Sequence, residues 1–134
     1  MKVTFLGTGT STGIPTIGVE RESCLSSDKR DNRLRSSILI EYKSKSILID
    51  CGPDFRQQML RINKTKIDAI FFTHEHADHT AGLDDIRPIS FHHGKIPIYA
   101  HQRVVDNWKN RFDYLFDKKG DYPGSPHVYP NIIN

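Results

Sequence analysis

Long apolar runs are what this 134-residue sequence most plainly lacks. None approaches the roughly 20 apolar positions that a membrane-spanning helix needs, so no membrane partner is expected. The opening MKVTFLGTGTSTG carries one basic residue and only a short apolar stretch before Gly7. The apolar segment of a secretory signal is therefore missing too, and a cytoplasmic address is expected. Cysteine is scarce: Cys24 and Cys51 stand far apart and are expected as free thiols rather than a disulfide. There is no internal repeat, low-complexity tract or linker, so residues 1–134 are read as a single domain or part of one. Charge of one sign is also in short supply. The net charge of +3 leans mildly toward anionic partners, and much of it lies in SSDKRDNRLRSS, most simply a solvated loop.

What is present is a series of short, well-punctuated elements. KVTFLG alternates around β-branched and aromatic residues and breaks at Gly7 and Gly9, which predicts a strand feeding a glycine loop as far as Pro15. SSILIEYKSKSILIDCG has apolar runs at 38–42 and 47–49 separated by KSKS, which predicts a hairpin. GPDFRQQMLRIN predicts a short amphipathic helix with Phe55, Met59, Leu60 and Ile62 on its buried side. KIDAIFFT and IPIYA read as buried strands. Thr80 is placed to cap a helix through AGLDDIRPIS that Pro88 interrupts. QRVVDNWKNRFDYLF puts Val104, Val105, Trp108, Phe112 and Leu115 at helical spacing, a core face. After Lys119, GDYPGSPHVYPNIIN reads as the end of regular structure.

Between two of these elements lies FFTHEHADHTAG, in which the six residues from His74 to His79 hold three histidines, a glutamate and an aspartate. Neutral imidazole and carboxylate are the usual ligands of zinc and its neighbours. Positions 74 and 76 of an extended loop project to one side, so two imidazoles converge there, while Asp78 and His79 lie past the turn and address a second point. Glu75 points away. The cluster leaves the carboxyl end of a buried strand, where α/β proteins commonly place chemistry.

THEHADH resembles the HxHxDH signature of the metallo-β-lactamase superfamily. FLGTGTSTGIP, LIDCGPDFRQQML and HTAGLDDIRP resemble its phosphodiesterase branch, which includes phosphoribosyl cyclic phosphate phosphodiesterases and, more distantly, ribonuclease Z. The likeness runs through essentially the whole chain. It implies an α/β fold, an αββα sandwich of two sheets with helices outside, of which these residues look like the N-terminal half with the C-terminal half missing. It also implies two divalent metal ions, zinc or manganese: His74 and His76 on the first, Asp78 and His79 on the second. A hydroxide activated by both ions would be the nucleophile of a metal-dependent phosphodiesterase, with Asp78 catalytic in positioning it and managing its proton. Asp50 corresponds to an acid that orients the ligands; on its own residues it is equally a strand-end aspartate capping the turn at CGPD. The substrate implied is a small phosphodiester or an RNA end.

By the same resemblance, further ligands come from the absent half. His92, His93, His101 and His127 follow no apolar strand as those ligands do and are read as surface or satisfied histidines. The isolated chain is then expected to be inactive and to need the missing half, or a second copy, over its sheet. A structural zinc site of the branch, C-x-C-x-x-C, is answered here by VERESC, where Val19 and Arg21 stand for two cysteines and only Cys24 remains, too few for a closed site. GTGTSTG fits neither a P-loop nor G-x-G-x-x-G spacing and reads as a tight turn. The alternatives are a thioester hydrolase of the same superfamily and a non-catalytic metal- or nucleic-acid-binding half-domain, in which the loop from Lys29 to Arg35 contacts phosphate.

Overall fold

The computed structural model describes residues 1–116 and 124–134. The chain runs β1 (Lys2–Gly7), α1 (Glu22–Leu25), β2 (Ser37–Tyr42), β3 (Lys45–Ile49), α2 (Phe55–Arg61), β4 (Ala69–Phe71), α3 (Ala77–Thr80), α4 (Arg87–His93), β5 (Ile96–Ala100), α5 (Gln102–Arg111), α6 (Asp113–Phe116) and β6 (Val128–Ile132). Short 3-10 turns lie at Lys29–Asp31 and Leu83–Ile86. One mixed sheet forms in the order β1-β2-β3-β4-β5-β6, antiparallel across β1, β2 and β3 and parallel from β3 to β6.

Period-two alternation gives the sheet two different faces. Leu39, Leu48, Ile70 and Ile98 lie in register across four strands and are buried. They pack with Phe55, Met59, Leu83, Ile86, Val104 and Trp108, and Phe72 meets the Trp108 ring edge-on at 4.6 Å. On the opposite face, Phe5, Ile38, Ile49, Phe71 and Tyr99 form a second in-register row, with Phe71 and Tyr99 stacked at 4.5 Å. No described element covers this row: Phe5 is 64% exposed, and Ile38, Ile49, Phe71 and Tyr99 are only half-buried.

Several local expectations fail for identifiable reasons. Leu60 is exposed, and Gln58 takes its place in the buried face of α2, because 55, 58, 59 and 62 share the helix stripe and 60 falls off it. Thr80 closes α3 instead of capping a later helix, its hydroxyl donating to the His76 carbonyl at 2.9 Å. Pro88 opens α4 rather than interrupting a helix, which suits a residue that lacks an N–H. Phe112 breaks the long helix into α5 and α6. The tail does contain structure: β6 pairs parallel to β5 from Val128 to Ile132, with Pro130 tolerated on an edge strand. Residues 120–123 of that tail lie outside the described residues. Finally, His101 directly follows the apolar strand β5, contrary to expectation, but its ring accepts from the Arg103 N–H as the cap of α5.

The readings of the cysteines and of the glycine loop hold. Cys24 and Cys51 are free thiols. Burial pushes the Cys51 thiol far up, with Asp85 and Asp50 adding to the effect, so it is an inert core side chain. The glycine loop is closed by backbone pairing: the Gly9 N–H donates to the Leu34 carbonyl at 2.8 Å and the Gly13 N–H to Thr10 at 3.0 Å, so neither amide is offered to a phosphate. Among the described residues, no helix is long and apolar enough to cross a membrane.

Candidate metal centre

Because β3 and β4 run parallel, their carboxyl ends meet at one edge, which brings Asp50 beside Thr73 and the histidine loop. Asp50 is buried and has φ 59, the left-handed region that a non-glycine residue occupies only at a cost of about 1 kcal/mol or more. Its surroundings compensate. The backbone N–H donates to the Phe71 carbonyl at 2.8 Å, and its carbonyl accepts from the Ser37 hydroxyl at 2.9 Å. The side chain turns away from the CGPD turn. Oδ1 accepts from the Thr73 N–H at 2.8 Å, and Oδ2 accepts from both the Thr73 hydroxyl and His79 Nδ1 at 2.8 Å.

These bonds determine where the imidazole protons sit. An ionised carboxylate only accepts, so His79 Nδ1 carries the hydrogen and Nε2 keeps its lone pair. The Thr73 hydroxyl gives its single hydrogen to Asp50. It must then accept from His74 Nδ1, 3.0 Å away, which leaves Nε2 of His74 as a lone pair too. One buried aspartate thus sets the tautomer of two histidines, directly in one case and through Thr73 in the other. The His74 ring lies 4.7 Å from that of His76 and 4.0 Å from that of His79. His79 Nε2 is 3.1 Å from Asp78 Oδ2, an approach that suits either a proton on that nitrogen or a cation shared between the two side chains.

Backbone contact holds this arrangement together. The Cys51 N–H donates to the His79 carbonyl at 2.8 Å, and the Gly82 N–H to the Cys51 carbonyl at 2.9 Å. A Cβ on Gly52 would lie 2.0 Å from the Asp78 carbonyl oxygen, and one on Gly82 would lie 2.2 Å from the Gly52 oxygen, so the two segments touch only because both are glycine. From the other side, α5 grips the loop. Arg111 Nη1 donates to the Glu75 carbonyl at 3.1 Å, and Arg103 Nη2 lies 3.2 Å from the Glu75 carboxylate. Glu75 therefore faces the helix. Its own backbone N–H, and then Arg103, hold its carboxyl below the usual range.

His74, His76, Asp78 and His79 are thus brought to one edge with Asp50 behind them, whereas His92, His93, His101 and His127 are exposed elsewhere on the surface. Thr73, Gly52, Gly82, Arg103 and Arg111 were not singled out from sequence; only Thr73, adjacent to His74, had a local signal. The donor chemistry fits a divalent metal. Among the described residues, however, no three His, Cys, Asp or Glu side chains gather on one ion position. The His74 ring lies nearer that of His79 than that of His76, and the four stand short of gathering the three or four protein ligands that zinc takes on any one point. The VERESC corner differs: Val19, Arg21 and Cys24 line a cavity of about 230 Å³, with the Thr16 N–H directed at Cys24 Sγ. It offers one thiol.

Asp50→Asn should lower zinc affinity by about 10- to 100-fold, since the partner that fixes His79 loses its charge, while the melting temperature moves little. Calorimetric zinc titration checks this; unchanged affinity would mean that Asp50 serves only the turn.

A mixed sheet helical on one face, with a histidine-rich loop at the end of a central parallel strand, defines the metallo-β-lactamase fold. A family model described as "Beta-lactamase superfamily domain" matches residues 45–131, and the chain belongs to that family. A solved diphosphatase of the PhnP family superposes with a TM-score of 0.86 at 43% identity, over 98% of this chain and 50% of that one. A Porphyromonas gingivalis protein named octanoyltransferase is 47% identical over 94% of this chain and 25% of its own length. Ribonuclease Z of Methanococcus maripaludis is 34% identical over 73% of this chain and 28% of its own. The chain thus spans half of the solved relative and about a quarter of the curated ones.

Proposed function

We propose that this chain carries the metal-binding half of a phosphodiester hydrolase. The observation that carries the reading is the Asp50–Thr73–His74 and Asp50–His79 relay, which orients two imidazoles at one edge, with His79 Nε2 beside the Asp78 carboxylate. His74 and His76 would hold one ion, Asp78 and His79 the other, zinc or manganese by donor type. When bound, the metal pair supplies a polarised phosphoryl group and an activated water. Asp78 would help position the attacking water and manage its proton, and Asp50 keeps both imidazoles in the ligating tautomer. The diphosphatase and ribonuclease Z relatives both act on phosphate esters or anhydrides by name, which supports the substrate class. The octanoyltransferase name favours a second reading, an acyl thioester substrate, although it belongs to a protein of which this chain matches a quarter.

One assay, on this chain together with the other half of the sandwich, separates them: hydrolysis of bis(p-nitrophenyl) phosphate and of an octanoyl thioester, each with chelator, zinc or manganese. Metal-dependent release from the phosphodiester alone is expected. Thioester turnover alone sinks the phosphodiesterase reading.

The row Phe5, Ile38, Ile49, Phe71 and Tyr99 is covered in the working protein by the other half of the sandwich, or by a second copy. Exposed apolar patches beyond a few hundred Å² are uncommon on stable monomers. Sedimentation of the 134-residue polypeptide should show self-association, with strong binding of a hydrophobic dye. A monomer that binds no dye would show the face to be stable in water.

A further inference from the structure

Away from the metal centre, the loop that looked like a solvated charge run meets a helix distant in sequence. Lys29, Asn32 and Leu34 form one wall, and Arg56, Gln57, Leu60 and Arg61 of α2 the other, of a cleft of about 710 Å³. A second cleft of about 300 Å³ continues it past Arg30 and Arg33 toward β1, sharing Lys29, Asn32, Leu34 and Arg61. Five cations thus line one trough, and no carboxylate lines it. On a protein of net charge +3, that places an excess of one sign in one concavity.

The cations differ in what they already do. Arg30 is paired with Asp28, Arg61 donates to the Leu6 carbonyl, and Arg33 approaches the Thr8 hydroxyl at 3.4 Å. Lys29 and Arg56 are exposed, and among the described residues neither makes a side-chain hydrogen bond or ion pair. Other surface cations on this chain sit beside acids, as Lys45 and Lys66 sit by Asp68 and Lys109 by Asp106, whereas Lys29 and Arg56 leave their charge to the trough.

We propose that this trough binds the phosphate backbone of a single-stranded nucleic acid. Its two connected compartments exceed what one phosphate would fill, and cations spread along both call for a ligand with repeated charge. Apolar lining between the cations suits an unpaired strand, whose bases are open to contact, over a duplex, whose bases are stacked inside. Asn32 and Gln57 supply donors and acceptors between the charges, while Leu34 and Leu60 give sugar and base an apolar surface. Backbone contacts carry no sequence information, so binding is sequence-tolerant and steeply salt-dependent. The trough does not depend on the metal-centre reading, because none of its residues is a metal ligand.

The test is fluorescence anisotropy of labelled oligouridine and oligoadenosine with the purified protein, in chelator and over a range of salt. Both strands should bind alike, with log affinity falling against log salt at a slope of about −3, given roughly 0.7 per phosphate neutralised. Lys29→Ala with Arg56→Ala should weaken both about tenfold and reduce the slope by about 1.4, while Lys95→Ala, removing an exposed charge elsewhere, changes neither. Gln57→Glu, which adds an anion to the wall without touching the cations, should weaken binding similarly and guards against a misfolded double variant. Equal loss in Lys95→Ala, a slope near zero, or binding seen only with metal present would overturn the proposal. So would binding to anionic lipid vesicles with none to either oligonucleotide. Because binding is read in chelator and hydrolysis with metal, failure of one leaves the other standing.

Discussion

In the protein that carries both halves of the sandwich, His76→Ala is expected to abolish metal-dependent phosphodiester hydrolysis, by about 1,000-fold or more, while leaving the fold intact. His76 is exposed, and among the described residues its ring makes no hydrogen bond, so truncation removes only its edge contact with the His74 ring and strands no hydrogen-bonding partner. Its contribution to α3 runs through the backbone: the carbonyl accepts from the His79 N–H at 3.1 Å and from the Thr80 hydroxyl, and alanine retains both. The loss should therefore appear in metal content and turnover and not in the melting temperature. His92→Ala, also exposed but on α4, is the control and should be nearly silent. Equal loss in both variants would overturn the ligand assignment. Loss of stability without loss of metal would make His76 a structural residue of the loop.

Gly52→Ala should do the reverse and damage the centre through the fold. The added Cβ would lie 2.0 Å from the Asp78 carbonyl oxygen and 3.0 Å from its carbon, both backbone atoms that no rotamer change can move. Relief requires α3 to shift from the segment after β3, and that shift breaks the Cys51 to His79 and Gly82 to Cys51 hydrogen bonds that align the ligands. A cost of about 3 kcal/mol follows, lowering the melting temperature by roughly 10 °C, and Asp78 and His79 lose their register with Asp50. Thermal unfolding and zinc titration of the same variant test this together. Near wild-type values for both would show that the approach of Gly52 to Asp78 is looser than the geometry implies.

Residues close together in the chain were legible without coordinates. The cluster from His74 to His79 announces itself because its ligand types are contiguous, and the apolar run before it says that they leave a strand end. The hairpin 37–49, the strand at 96–100 and the Trp108 face of α5 follow from periods of two and 3.6, which depend on neighbours a few residues away. What depended on distant partners was not legible. β6 forms because β5, from Ile96 to Ala100, offers it a parallel ladder across some thirty residues, overriding a proline-rich composition that reads as loop. The role of Asp50 was open between a turn cap and a ligand-orienting group; its carboxylate reaches Thr73 and His79, 23 and 29 residues away, because β3 and β4 are parallel. Gly52 and Gly82 matter through the backbone each one touches, and Arg111 through the Glu75 carbonyl and the Thr80 hydroxyl. The basic loop looked solvated until α2 was placed opposite it. Residue types and local periods belong to the sequence, whereas proton positions, close backbone approaches and a shared cleft arise only when segments tens of residues apart are brought into contact.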